Sequence, residues 1–277
     1  MAMTKAVQEV RLDYHWFAGH GVGELGINDV EINAKFAIPF LYNSETPLLI
    51  TPGFAVHYWE GPVSVIPGPP PPADLPARTY DAYLDAAWNP QLLPWLGAEL
   101  SFRAGLYDDF QRKVTTDTIR LTGTGFGVVS LSPNVKVKAG VMYLDRNYIK
   151  LLPSGGIVWT PNPDVYFNIL FPNPKVARRL LNYGNIEWWG YFSGDYGGGA
   201  WHITRASTAA PAIAGNYDDF DYNDIRIAAG LEFKTYRNFS GLFEVGGAFS
   251  RELRYRSLLP ATYYPTNTVF LRGGLAY

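Results

Sequence analysis

The chain contains no cysteine, which removes disulfides, thiolate metal sites and cysteine nucleophiles together and leaves the redox compartment unreadable. Nowhere do apolar residues run for the roughly 18 to 20 positions that a membrane-spanning helix needs. Charge is scarce: 17% of residues are Asp, Glu, Lys or Arg, against about one-quarter in ordinary soluble domains. The 23 basic and 25 acidic residues leave a net charge of −2, which offers nucleic acid no basic surface. The opening MAMTKAVQEV lacks the basic start and apolar middle of a secretory signal, so any export signal is expected to have been removed.

Rings and chain breakers are abundant. Aromatics make up 16% and hydrophobic residues 47%, and 28 glycines and 21 prolines are spread from end to end. That mixture disfavours long helices and suits many short strands joined by turns. No composition break divides the 277 residues, so they read as one domain. A chain without a spanning helix that is nevertheless this aromatic is explained by bilayer-spanning strands.

Period two runs through the sequence. Val10, Leu12, Tyr14 and Trp16 alternate with Glu9, Arg11, Asp13 and His15, the signature of a strand with one apolar face. Val30, Ile32, Ala34, Phe36 and Ile38 oppose Asp29, Glu31, Asn33 and Lys35, and Leu96 to Leu106 and Val135 to Tyr143 repeat the pattern. Such runs start near residues 9, 27, 47, 79, 94, 118, 134, 155, 164, 184, 199, 222, 239 and 267. They predict fourteen strands, or twelve if the shortest runs fail.

The connections alternate too. After every second strand comes a compact turn, YNSETP, NPQLLP, SPN, PNPD, GDYGGG or YRN, and after the others a longer segment such as AGHGVGELG or PNPKVARRLLNYG. Short turns at one end and long loops at the other are the habit of outer-membrane barrels. The expected fold is therefore an all-β, antiparallel, up-and-down transmembrane barrel with both termini on the periplasmic side. Closure is required because an open sheet edge in hydrocarbon leaves backbone groups unpaired at several kcal/mol each. A soluble β-sandwich or propeller is the alternative.

Parity then sorts the charged residues. The inward positions collect Glu9, Asp13, Asp29, Glu31, Asp81, Asp85, Glu99, Glu187, Asp224, Glu232 and Glu244, with Arg11, Lys35, Arg103, Arg120, Lys136, Lys138, Arg226 and Arg272. These are the candidate pore-lining residues. Charge that is costly against lipid is tolerated in a hydrated lumen, and the slight excess of acids implies a weak cation preference. The same groups could instead pair across the barrel and fill it. Trp16, Tyr58, Trp88, Trp95, Tyr143, Trp159 and Trp188 fall near strand ends or outward, as interfacial anchors do; Trp59 and Trp189 point inward and could serve a ring ligand.

No motif fixes a catalyst, metal or cofactor. His15, His57 and His202 take inward parity, but no serine is placed beside them. No histidine pair has ligand spacing, and the acidic YDDF and NYDDFDYND read as outer-loop charge with at most weak Ca²⁺ binding. GTGFG and GDYGGG lack the lysine and serine of a phosphate loop. The proline run GPPPPADLPA reads as a stiff spacer in the second outer loop.

Several strings, SPNVKVKAGVMYLDRN, LLPSGGIVWTPNPD, FPNPKVARRLL, WWGYFSGDYGGGAW and FEVGGAFSREL, resemble an uncharacterised family of predicted outer-membrane β-barrels common in planctomycetes and related bacteria. The resemblance covers roughly residues 80 to 277. It implies a Gram-negative-type outer membrane and the barrel fold, and supplies no substrate or catalytic residue. The function expected is a porin-like channel for small polar solutes or ions in contact with outer-membrane lipid. A homo-oligomer is compatible with it. A closed barrel that anchors the envelope and a barrel-embedded hydrolase are the alternatives.

Overall fold

A computed structural model describes residues 7–19, 21, 23–40, 43–61, 75–205, 215–236, 238–256 and 262–277, with the backbone alone for 43 and 44. Its sheet has sixteen strands, two of which, Gln91–Leu93 and Thr262–Tyr263, are short pieces beside longer ones. The remaining fourteen form the wall. They are β1 Val7–Phe17, β2 Gly26–Phe40, β3 Asn43–Glu60, β4 Arg78–Trp88, β5 Leu96–Asp108, β6 Ile119–Ser132 and β7 Val135–Tyr143. Then follow β8 Leu151–Asn162, β9 Val165–Phe171, β10 Lys175–Tyr183, β11 Ile186–Thr204, β12 Tyr217–Thr235, β13 Ser240–Tyr255 and β14 Thr268–Ala276.

Each strand pairs antiparallel with its chain neighbour, and β1 closes the ring on β14 through Leu12 opposite Leu275 and Tyr14 opposite Gly273. No edge is left in the wall. The outward positions stay exposed although they are apolar: Leu12, Ile32, Leu84, Phe102, Ile157, Ile227, Phe243 and Val269 all show large hydrophobic side chains. Water tolerates such a continuous belt poorly, whereas hydrocarbon requires it. The fold is thus the closed antiparallel barrel of fourteen strands that the alternation implies.

Two expectations about the wall fail, and they cancel in the count. Lys175–Tyr183, read as part of a long loop, is strand β10, and its connection from β9 spans only residues 172–174. Its pattern is obscured because Arg178 and Arg179, then Leu180 and Leu181, are like neighbours. A register shift between Arg179 and Leu181 opposite Trp189 and Trp188 absorbs the extra residue, as a β-bulge does. Conversely, the runs near 184 and 199 are one strand, β11, and GDYGGG lies inside it rather than at a turn. Gly198 there has φ +99°, and a Cβ on it would sit 1.9 Å from the Tyr222 carbonyl oxygen. The glycines permit close backbone approach, the other reason a strand carries them. NYDDFDYND is likewise mostly β12 and not a loop. Most of GPPPPADLPA lies outside the described residues.

The strands are unequal. β7, β9 and β10 have 9, 7 and 9 residues, whereas β3, β11 and β12 have 18, 19 and 19. The exposed apolar face of β12 ends at Ile225, and from Asp218 to Asp224 both its faces are buried. Above the belt, the β11–β12 hairpin leaves the wall and crosses the mouth to meet β5, where His202 bridges Asp108 in parallel. At this loop end, β1 to β5 and β11 to β14 therefore close on themselves as a ring of nine strands. A barrel of about eight strands is just wide enough for side chains to fill, and this one is filled. Phe17, Ile27, Trp59, Tyr107, Trp201, Ile203, Phe220, Tyr222, Leu253, Tyr255 and Phe270 form one buried cluster across it.

Candidate functional site

Beneath this aromatic throat the ring widens to fourteen strands and its contents change from apolar to polar. A cavity of about 320 Å³ lies there. Its ceiling is the underside of Trp59, Tyr107, Trp201 and Tyr222, and its walls carry Asp13, His15, Asp29, Glu31, His57, Asp81, Arg103 and Arg226. On the side of β6, Arg120 and Thr122 line it together with Leu144, Asp145 and Arg146 from the β7–β8 connection.

The strand pairings dictate these neighbours. Asp29 of β2 lies opposite His57 of β3, and His57 lies diagonal to Asp81 of β4, two residues along from its direct partner Thr79. The imidazole is hydrogen-bonded through Nδ1, 2.7 Å from Asp29 Oδ1, and its Nε2 lies 3.1 Å from Asp81 Oδ2. Asp81 also accepts a 2.7 Å hydrogen bond from Trp201 Nε1, and Trp59 Nε1 donates to Thr79 Oγ1 at 3.0 Å. Ring N–H groups in a filled core need such partners. The throat is thereby tied to the cavity walls.

Each of the charged residues singled out by parity can now be placed. Asp13, Asp29, Glu31, Asp81, Arg103, Arg120 and Arg226 border the cavity. The others lie on the strands below it or beside it, mostly in pairs. Arg11 holds Asp13 at 2.6 Å, Arg103 holds Asp85 at 2.6 and 2.8 Å, and Lys138 lies 2.7 Å from Glu99. Glu9 faces Lys35 at 3.5 Å, Glu187 faces Arg179 at 3.5 Å, and Glu232 is bound by Lys175 at 2.9 Å. Glu244 meets Arg272 at 3.4 Å, while Arg226 reaches Asp224 at 2.9 Å. Lys136, exposed at the start of β7, makes no ion pair among the described residues. Such half-hydrated pairs contribute only about 0.2 to 1 kcal/mol each; their main effect is to keep the interior polar while nearly cancelling its charge.

His202 departs from its expected parity. Trp201 points into the throat, so His202, its chain neighbour, faces the other way. It lies on the seam where the hairpin meets β5, with Nδ1 2.8 Å from Asp219 Oδ1. Asp219 is shared by three cations, since Arg120 and Arg256 each approach it at 3.1 Å. This seam lies beyond the apolar belt. Burial disfavours the charged imidazole, but the hydrogen bond and field of Asp219 and the charge of Asp108 outweigh it and raise His202 above its ordinary pKa. Asp219 is held below the usual carboxylate value, the hydrogen bond from His202 and the charge of Arg120 overcoming its burial.

Among the described residues, no serine hydroxyl hydrogen-bonds to His15, His57 or His202; those of Ser101, Ser154 and Ser193 bond to Thr124, the Phe171 carbonyl and Glu244. The Ser–His–acid arrangement that a barrel hydrolase of that type needs is not assembled here. Among the described residues, no three or more histidine, aspartate or glutamate side chains are arranged so that they could hold a metal ion. Parity alone could find the walls of the cavity. The throat was hidden from it, because nothing in a period-two pattern says that a strand continues past the membrane and turns inward.

No family model matches the sequence, and no curated protein matches it. Solved structures that resemble the fold include KdgM porin in complex with disordered oligogalacturonate, at 10% identity over 96% of this chain and 98% of that one, with a TM-score of 0.40. LpxR from Salmonella typhimurium is similar at 9% identity over 98% and 99%, TM-score 0.40, and so is a bacterial polysaccharide outer membrane secretin at 9% over 97% and 97%, TM-score 0.40.

Proposed function

We propose that this chain is a bacterial outer-membrane barrel working as a porin-like passage for small polar solutes or ions, with its turn end and both termini in the periplasm. The observation that carries the reading is the change of contents along the axis: an apolar exterior belt around an interior of paired charges and a polar cavity. Fourteen strands enclose more width than side chains alone fill, and the charged lining keeps that width wettable. The filled nine-strand throat blocks part of the loop end. In this reading the route runs beside it, through the lobe bounded by β6 to β10 and the β5–β11 seam, where Arg120, Thr122 and Arg146 line the cavity. The family resemblance in residues 80 to 277 agrees with a Gram-negative-type outer membrane.

The throat also favours a second reading, a closed barrel with a structural role in the envelope. Planar-bilayer recording of the purified protein under a salt gradient separates them. Stepwise conductance supports the passage; silence from protein whose insertion is verified by its heat-modifiable gel mobility refutes it in favour of the closed barrel.

A further inference from the structure

We propose that the end of the cavity formed by Arg120 and Arg146 is a binding site for the carboxylate of a small, singly charged organic anion, placed at the narrow point of the passage. The inference rests on the passage reading for its role in selection, but the site itself stands on the geometry of these two side chains.

Arg146 is 5% exposed, and among the described residues it has no carboxylate within ion-pairing distance. Its contacts are with neutral groups: Nη1 donates to Asn223 Oδ1, Nη2 donates to the Gly198 carbonyl at 3.0 Å, and the guanidinium lies 4.8 Å from the centre of the Tyr196 ring. Asp221 and Asp224 act on it through their charge, without an ion pair to it among the described residues. Asp221 accepts from the backbone N–H groups of Asn147 and Tyr148 and from Asn147 Nδ2, and Asp224 accepts from Arg226 and the Tyr222 hydroxyl. A buried guanidinium without a counter-ion is costly, and burial pulls Arg146 below the usual arginine value.

Arg120 flanks the same turn. Its Nη1 reaches the Asp145 carbonyl at 3.4 Å and Asn147 Oδ1 at 3.5 Å, on either side of Arg146 in the chain. It is 8% exposed, its Nε has no hydrogen-bond partner among the described residues, and the acid it pairs with there, Asp219, is divided between Arg120, Arg256 and His202. Both side chains border the cavity. Two buried guanidinium groups thus border one cavity while bound to neutral acceptors and a shared Asp219, and Arg120 presents a buried Nε with no hydrogen-bond partner among the described residues. A planar carboxylate matches the guanidinium fork. The cavity also carries Asp13, Asp29, Glu31 and Asp81, and Asp145 beside the two arginines, which penalise a second negative charge on the solute. A monocarboxylate therefore fits better than a phosphate dianion, and about 320 Å³ suits a molecule at the small end of the usual ligand range.

Isothermal titration of the folded barrel in detergent with sodium acetate tests this, with sodium chloride, sodium phosphate and urea as comparison solutes. Saturable acetate binding, weakened tenfold or more in both Arg146→Gln and Arg120→Gln and partly retained in Arg146→Lys, is the expected result. Arg179→Gln, on the turn side of the barrel, should bind as the unaltered protein does. No saturable heat with acetate, chloride or phosphate binding as tightly, or unchanged binding in Arg146→Gln would each overturn the proposal. Heat-modifiable mobility checks that every variant folds, and Arg146→Lys keeps the test alive if a glutamine variant does not. Because binding is read without current, a silent barrel that binds acetate rejects the passage and keeps the site, and a conducting barrel that ignores acetate does the reverse.

Discussion

Phe220 sits at the centre of the throat with none of its surface exposed. It stacks on Trp201 at 5.3 Å and 26°, meets Trp59 edge-on at 5.4 Å, and lies 6.1 Å from Tyr255. Phe220→Ala removes on the order of 100 Å² of buried apolar surface, about 2.5 kcal/mol at 25 cal/mol per Å². Ring pairs that add about 0.5 to 1.5 kcal/mol each disappear with it. Nine hydrogen-bonded strands surround the site, so it cannot collapse onto the space left, and a total loss of about 3 to 5 kcal/mol is expected. Phe243→Ala provides the contrast, because Phe243 projects from the lipid-facing side of β13 with 54% of its surface exposed. Guanidinium unfolding of the barrel in lipid vesicles, followed by gel mobility, measures both. A loss below about 1 kcal/mol at Phe220, or equal losses at the two positions, would show that the throat is not a packed core and that the nine-strand closure is wrong.

Leu100→Arg, in the outer belt of β5, should cost about 2 to 4 kcal/mol near the bilayer midplane. Ser101→Ala on the opposite face loses only the 2.7 Å hydrogen bond with Thr124, about 1 kcal/mol, and equal costs would contradict the inside–outside assignment. Gly198→Ala must place a Cβ 1.9 Å from a carbonyl oxygen at φ +99°, so it should destabilise more than Gly184→Ala, where φ is +57° and nothing lies within 4 Å. The same vesicle assay decides between the two. The His202–Asp219 contact makes the seam depend on pH. With His202 raised in the folded state, its contribution is fully present below its unfolded value of about 6.5 and is lost as pH rises through the folded one. The depressed Asp219 contributes above about pH 3.9 and loses this as pH falls through its folded value. The stability difference between the unaltered protein and His202→Gln should therefore shrink from pH 6 to pH 9, and a flat difference would remove His202 from the seam.

The wall was legible because lipid and lumen impose one rule on every residue that faces them. Leu96 to Leu106 and Ile225 to Phe233 alternate without exception among their large side chains, since each neighbour of a lipid-facing residue must suit water or an ion pair. Local backbone events broke the reading in two places. At β10 one bulged residue put Arg178 beside Arg179 and Leu180 beside Leu181, so the parity of half the strand was inverted. In β11 the glycines have the composition of a turn, yet they are there because Gly197, Gly198 and Gly199 meet the Asp224 side chain, the Tyr222 carbonyl and the Trp201 ring within 3 Å of where a Cβ would stand. Glycine marks a lack of room as readily as a change of direction.

That ambiguity bears on function more than on strand count. Read as a turn, Gly197 to Gly199 would end the strand inside the membrane and leave an open mouth of fourteen strands. Read as a point of close approach, they let β11 continue and bend inward until His202 meets Asp108, which cuts the mouth to a filled ring of nine and a side lobe. The charges then acquire different roles. Those on the lower strands are neutralised in pairs across neighbours, where a short period-two pattern already predicts them. Arg120 and Arg146 face the lobe from β6 and from a loop separated from the hairpin by three strands, and among the described residues the hairpin brings them Asn223, a glycine carbonyl and a shared Asp219 rather than a carboxylate paired to each alone. The sum of the inward charges, with its slight excess of acids, therefore describes this interior less fully than the few charges that the inward bend leaves without an ion pair of their own among the described residues.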